Sequence, residues 1–90
     1  MLGDLLTSLT DETTALETIM TAGDLKLLTA AQELAAADGL DLAEFVTQTV
    51  QRYANEASDE EWVTLVGLLN RSQDPGTTCL KRALEHALRE

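Results

Sequence analysis

Two side chains near the end of the sequence are of types that could support nucleophilic or metal chemistry. Cys79 and His86 are the only cysteine and the only histidine in the chain. They lie seven residues apart, about two helical turns, so they could share a helix face without easily reaching a common ion. Zinc sites need several Cys or His ligands, and a cysteine on an apolar helix face is usually buried and inert. An alternative is that Cys79 acts as a catalytic nucleophile or as the attachment point of a carrier protein, and either role requires an unusually reactive thiol.

The carboxylates are the other source of possible chemistry. The run Asp59-Glu60-Glu61 lacks the alternation and the glycine of a calcium loop. The segment Ala83-Leu84-Glu85-His86 does not supply the Glu-x-x-His pattern of di-iron bundles, and the five glycines are too scattered for a phosphate loop. We therefore predict no catalytic residue, no metal ligand and no cofactor, and the chain is not expected to be an enzyme.

The charge is strongly acidic and uneven along the chain. Sixteen acids against six bases give a net charge of −10 in 90 residues. Residues 1–45 hold nine acids and one base, whereas residues 46–90 hold seven acids and five bases. Because phosphate binding needs several Lys or Arg contacts, we expect no direct nucleic-acid partner and no anionic membrane partner. Many of the acids fall where helices are predicted to begin, where they favour the positive end of the helix dipole.

The cellular location follows from what the sequence lacks. A single cysteine forms no disulfide within the chain, so a reducing compartment is the default. No apolar run approaches the ~20 residues that span a bilayer. The first residues lack the basic region of a signal peptide. We expect a cytoplasmic protein.

The residue inventory predicts helices. Leucine and alanine dominate, and these are strong helix formers, whereas strands prefer the β-branched and aromatic residues that are scarce here. We predict an all-α fold, a compact bundle of four to five short helices in one domain over residues 1–90. Short connections favour antiparallel packing of consecutive helices.

The N-terminal segment has two features that bear on its structure, an apolar stripe and a run of threonines. An apolar stripe at spacing i, i+3, i+4, i+7 predicts a helix up to a break at Thr10, and its residues are Leu2, Leu5, Leu6 and Leu9. Residues 1–9 could form a peripheral helix without which the bundle closes. Threonines are dense over residues 14–21, so this segment is either a helix or a short strand.

Four later helices have readable start signals. Asp24 is a predicted N-cap, and Asp74-Pro75 supplies an N-cap followed by a proline at the first helical position. Two capping boxes are predicted, Asp41 with Glu44 and Ser58 with Glu61. Each of these four helices has a predicted inward-facing apolar stripe. The first two stripes are Leu25, Leu27, Leu28, Ala31, Leu34 and Ala35, and Leu42, Phe45, Val46, Val50 and Tyr53. The last two are Trp62, Leu65, Val66 and Leu69, and Cys79 or Leu80 with Ala83, Leu84, Ala87 and Leu88.

Residues 39–46, Gly-Leu-Asp-Leu-Ala-Glu-Phe-Val, resemble the segment that opens the second helix of acyl carrier proteins. In that family the attachment motif is Asp-Ser-Leu. This chain has Asp38-Gly39-Leu40, with a glycine where the modified serine must be. The resemblance therefore does not imply an attached phosphopantetheine.

Residues 25–53 are similar to the two helices of ribbon-helix-helix antitoxins and repressors. That family reads DNA with a basic strand before the first helix. Residues 15–21 would occupy this place here and contain no Lys or Arg. The resemblance implies an antitoxin-like regulator without the DNA-reading strand.

The leading functional hypothesis is a non-enzymatic helical module that binds a protein partner or a second copy of itself. The alternative is an antitoxin-like or DNA-mimicking regulator that binds a basic protein. Self-association is expected through residues 2–20, and part of the Trp62 face, with Val63 and Val66, is a second candidate surface. The candidate contact residues are Leu2, Leu5, Leu6, Leu9, Asp11, Glu12, Glu17 and Trp62.

Overall fold

The structure, a computed structural model, describes residues 2–88, with side chains from residue 3 onward. Its helices are α1 (Leu2–Leu9), α2 (Glu12–Thr21), α3 (Leu25–Ala37), α4 (Leu42–Glu56), α5 (Asp59–Arg71) and α6 (Pro75–Leu88). No strand occurs in the described part, so the all-α prediction is confirmed. Six helices rather than four to five are present there, because short breaks separate every predicted segment.

The break after α1 depends on a side-chain cap. Asp11 has extended backbone geometry, and its Oδ2 accepts hydrogen bonds from the amide and the hydroxyl of Thr14, each at 3.0 Å. A new helix therefore starts at Glu12 rather than continuing α1.

The threonine-rich segment 14–21 is helical, so the short-strand alternative is wrong. The Thr18 hydroxyl donates to the Thr14 carbonyl at 2.7 Å, and the Thr21 hydroxyl donates to the Glu17 carbonyl at 2.8 Å. These bonds satisfy the hydroxyls within the helix. The strand that the antitoxin resemblance implied before α3 is therefore also absent from the described chain.

Carboxylate caps begin the two central helices. Asp24 accepts from the Leu27 amide at 3.0 Å. Asp41 accepts from the Glu44 amide at 2.8 Å, while Glu44 accepts from the Asp41 amide at 3.4 Å, which confirms the first capping box. Several acids thus satisfy helix N-termini, as the sequence predicts.

The second predicted capping box is only half formed. Ser58 Oγ accepts from the Glu61 amide at 3.2 Å, as predicted. The Glu61 carboxylate does not return to Ser58, because it is bound by Tyr53 and Arg82.

The turn after α3 requires a glycine. Gly39 has φ +71°, and the amides of Gly39 and Leu40 donate to the carbonyls of Ala36 and Ala35. This is the Schellman arrangement, in which a left-handed residue ends the helix.

Two glycine substitutions are expected to change stability in opposite directions. Gly67 lies inside α5 with open space where a Cβ would be, so Gly67→Ala should raise the free energy of unfolding by about 0.5–1 kcal/mol. Gly39→Ala should lower it by about 1 kcal/mol, since the native φ is strained for alanine. Urea titrations in dilute solution measure both changes. Destabilisation by both substitutions would contradict the placement of Gly67.

Helix α4 forms the centre of the core. It contacts α1, α2, α3 and α6, and the predicted stripe on it is inward, with Leu42 partly buried. The stripe on α3 differs from the prediction, since Leu25 is 76% exposed and Leu34 is also exposed. Leu25 is the first residue of α3, where it points away from α4 and α6. The buried residues that α3 contributes to the core are Leu27, Ala31 and Ala35.

The two flanking helices differ in how they are attached. Helix α1 contacts α2, α4 and α6, with Leu9 only 1% exposed and Leu5 and Leu6 packed against the core. Helix α5 has its main helix contact with α6, and Leu65 is its buried side chain. Over the described residues, no helix is both long enough and apolar enough to cross a membrane.

Candidate partner-binding groove and a polar cluster

The predicted contact residues do not form one surface. Leu9 is a core residue, and the side chain of Leu2 lies outside the described part of the chain. Asp11, Glu12 and Glu17 are exposed, with Asp11 engaged as the cap of α2. The structure therefore leaves Leu5 and Leu6, both half-buried, as the remaining apolar positions of the N-terminal stripe.

Trp62 lies on α5 and belongs largely to the interior. Its ring packs against the Tyr53 ring, with centroids 5.9 Å apart and planes at 52°. Val63 and Val66 beside it are exposed, at 73% and 44%. The exposed apolar surface of α5 is therefore formed by the valines rather than by the tryptophan.

An apolar groove lies between α1, α5 and the start of α6. Its volume is about 530 Å³. Three aliphatic side chains and a proline line it, together with two neutral polar residues and one carboxylate, and no Lys or Arg is among them. The lining residues are Asp4, Leu5, Ser8, Val66, Leu69, Asn70 and Pro75. Of the residues named in the two candidate surfaces, Leu5 and Val66 line this groove.

The turn between α5 and α6 positions one end of the groove. Asp74 accepts from the Thr77 amide at 3.3 Å and from the Thr77 hydroxyl at 2.8 Å, which lowers the pKa of Asp74. The Asp74 amide donates to Ser72 Oγ at 3.1 Å. Pro75 follows as the first residue of α6, and a Cβ on Gly76 would lie 3.9 Å from Leu5. The hydrogen bonds order this turn, and the start of α6 lies close to Leu5 of α1.

A polar cluster joins α4, α5 and α6 on another part of the bundle. The Tyr53 hydroxyl donates to Glu61 Oε2 at 2.5 Å. Arg82 donates to the same carboxylate through Nε at 2.6 Å and through Nη2 at 3.0 Å, forming a two-point ion pair. This cluster could not be predicted from local spacing, because Glu61 and Arg82 are 21 residues apart and Glu61 had a local role available at the start of α5.

The cluster fixes the charge states of its members. Hydrogen bonds from Arg82 hold the pKa of Glu61 below its usual value, and the same contact raises the pKa of Arg82. Burial and the bond to Glu61 raise the pKa of Tyr53. The Tyr53 ring also meets the His86 ring edge-on, with centroids 5.4 Å apart. Since Glu61 already accepts three hydrogen bonds, this arrangement fixes α5 to the bundle rather than presenting a free base.

The thiol of Cys79 is buried, and burial raises its pKa to about 11. The thiolate is the reactive form, so alkylation by iodoacetamide at neutral pH should be slow in the folded protein. We expect the rate to rise to that of a free thiol in urea. Rapid alkylation of the folded chain would support the alternative of a reactive Cys79.

Among residues 3–88, no group of three or more His, Cys, Asp or Glu side chains is placed to hold a metal ion. The Cys79 thiol is fully buried, and the His86 ring packs on Tyr53.

The fold class is therefore that of a small all-α bundle with an apolar groove on its surface. Comparisons of the chain with protein-family models, curated proteins and solved structures gave no match.

Proposed function

We propose that this chain is a non-enzymatic interaction module whose groove binds an amphipathic helix of a basic partner protein. The observation that carries the proposal is the apolar groove of about 530 Å³ between α1, α5 and α6. Grooves between helices commonly receive the apolar face of a partner helix.

The charge of the chain supports a basic partner. No Lys or Arg among residues 3–88 lines the groove, and the net charge is −10, with most of the excess in residues 1–45. A partner helix with Lys or Arg beside its apolar stripe would be attracted to this surface and meet no like charge in the groove. The same excess of acids disfavours nucleic acid and anionic membranes as partners.

The chemistry of the remaining sites supports a binding role without catalysis. Glu61 is committed to Tyr53 and Arg82, and the Cys79 thiol is buried. A DNA-mimicking regulator would also bind a basic protein, but it would do so through exposed acids and without use of the groove.

The probe that tests the proposal is a synthetic helical peptide of leucine and lysine with its leucines at i, i+3, i+4 and i+7. Titration into isotope-labelled protein, followed by NMR, should shift the resonances of Leu5, Val66 and Leu69. Val66→Glu should weaken binding at least about tenfold, since it places a charge against the apolar stripe. Val63→Glu is the matched control, because it makes the same change on α5 outside the groove.

The outcomes separate the two candidate functions. The groove would be excluded as the binding site if Val66→Glu and Val63→Glu weaken peptide binding equally. It would also be excluded if the peptide shifts only resonances of residues on other faces. Binding that disappears steeply with added salt yet ignores Val66→Glu would favour the DNA-mimicking alternative.

A further inference from the structure

The outer face of α5 carries charges of opposite sign at its two ends. We define this face by Asp59, Glu60, Val63, Gly67 and Arg71, which recur at helical spacing on the side opposite the buried Leu65. Asp59, Glu60 and Arg71 are exposed, and within residues 3–88 none of the three forms an ion pair. The face is thus acidic at its start, apolar in the middle and basic at its end.

The middle of this face is unfavourable for an isolated helix. Val63 is 73% exposed, and β-branched residues are weak helix formers. Gly67 follows one turn later, and nothing lies within 4 Å of the position of its Cβ. The packing of the chain itself therefore explains neither residue. A valine one helical turn from a glycine does place a larger side chain next to a smaller one, which another helix can pack against.

We propose that a second copy of this chain packs against the outer face of α5, with the two α5 helices antiparallel. A two-fold axis that crosses this face midway between positions 63 and 67 places Val63 of each copy opposite Gly67 of the other. The same axis places Arg71 opposite Asp59 and Glu60, so opposite charges meet at both ends. A parallel arrangement would instead set like charges together. Self-complementarity of one patch is what a two-fold dimer requires.

The distribution of charge along the chain also favours a second copy at this place. Residues 46–90, which include α5, hold seven acids and five bases, whereas residues 1–45 hold nine acids and one base. Two copies that meet through α5 therefore keep their more acidic halves out of the contact.

The size of the face sets the strength of the dimer. Helix α5 has 13 residues and so is about 20 Å long. One such helix buries less than the roughly 800 Å² per partner of a standard interface. The dimer should accordingly be reversible, with a dissociation constant on the order of micromolar or weaker.

Sedimentation equilibrium of the full chain over a range of concentrations tests the proposal. The wild-type protein should show a monomer–dimer equilibrium, and Val63→Glu should raise the dissociation constant at least about tenfold. Leu25→Glu is the control, since it places the same charge on an exposed leucine of α3. Circular dichroism checks that each variant is folded.

A charge exchange tests the antiparallel orientation. Arg71→Asp and Asp59→Arg should each weaken self-association, because each sets like charges at both ends. An equimolar mixture of these two variants should restore a mixed dimer, with opposite charges again paired. The proposal would be overturned if the wild-type chain stays monomeric at the highest concentrations. It would also be overturned if neither Val63→Glu nor the charge exchange changes the dissociation constant of the dimer. Peptide binding in the groove does not depend on this result.

Discussion

Tyr53→Ala is expected to lower the free energy of unfolding by about 3–5 kcal/mol, the range for removing a large buried aromatic side chain. Tyr53 is 1% exposed, packs against the rings of Trp62 and His86, and donates to Glu61. Chains of this length have total stabilities of roughly 5–13 kcal/mol. The substitution therefore removes a large share of the stability, and the variant could be largely unfolded at physiological temperature.

Urea titration measures the effect, with Tyr53→Phe as the matched variant. Phenylalanine keeps the ring but loses the bond to Glu61, so it should cost about 1–2 kcal/mol. If both substitutions cost the same, the stability at this position would come from the hydroxyl rather than from ring packing. Should Tyr53→Ala cost under about 1 kcal/mol, the buried placement of Tyr53 would be wrong.

Glu61→Gln has the second-largest expected effect, a loss of about 1–3 kcal/mol at neutral pH. The amide keeps the shape of the side chain but removes the negative charge that Arg82 contacts at 2.6 Å and 3.0 Å. The ion pair is mostly buried, with side-chain exposures of 23% and 16%, so water screens it only in part. Glu60→Gln, one residue earlier and exposed, should change stability by less than about 0.5 kcal/mol.

The effect of Glu61→Gln should depend on pH. Because Arg82 holds the pKa of Glu61 down, the unfolded chain binds more protons at this group than the folded chain does. The contribution of Glu61 is therefore fully present above its unfolded pKa and is lost as pH falls through the folded value. Urea titrations of the wild type and of Glu61→Gln should differ near pH 7, and the difference should shrink as pH falls below the usual pKa of a glutamate. A difference that stays constant over this range would contradict the ion pair.

A second pH effect concerns the alkaline side. Burial and the bond to Glu61 raise the pKa of Tyr53, so the folded state retains its hydroxyl proton above the pH at which the unfolded chain loses it. The contribution of Tyr53 is complete below about pH 10 and declines as pH rises further. Tyr53→Phe should lack this alkaline decline.

Local features of the fold could be predicted from the sequence. The apolar stripe of α4, the Asp41–Glu44 capping box and the glycine at position 39 each depend on residues within about three turns of one another. Such features need no knowledge of the other helices, and they were correctly placed. The exposure of Leu25 was not predictable in this way, since periodicity gives a face but not where the neighbouring helix ends.

The two candidate sites depend on contacts between distant parts of the chain. The groove exists because α1 lies beside α5 and the start of α6, although about 60 residues separate Leu5 from Val66. Glu61 was assigned to a local cap, and only the packing of α5 on α6 brings it to Arg82. Spacing within a segment contains no information about either arrangement.

The attachment of α5 has a consequence for hydrogen exchange. Its main helix contact is with α6, and its buried anchor is Leu65, whereas α4 is surrounded by four helices. Elements with little buried apolar contact open at lower free energy than the global unfolding transition. The amides of α5 should therefore exchange as one cooperative unit, before those of α4. Helix α5 contributes to both proposed contacts, so a bound partner should slow the exchange of its amides more than that of any other helix.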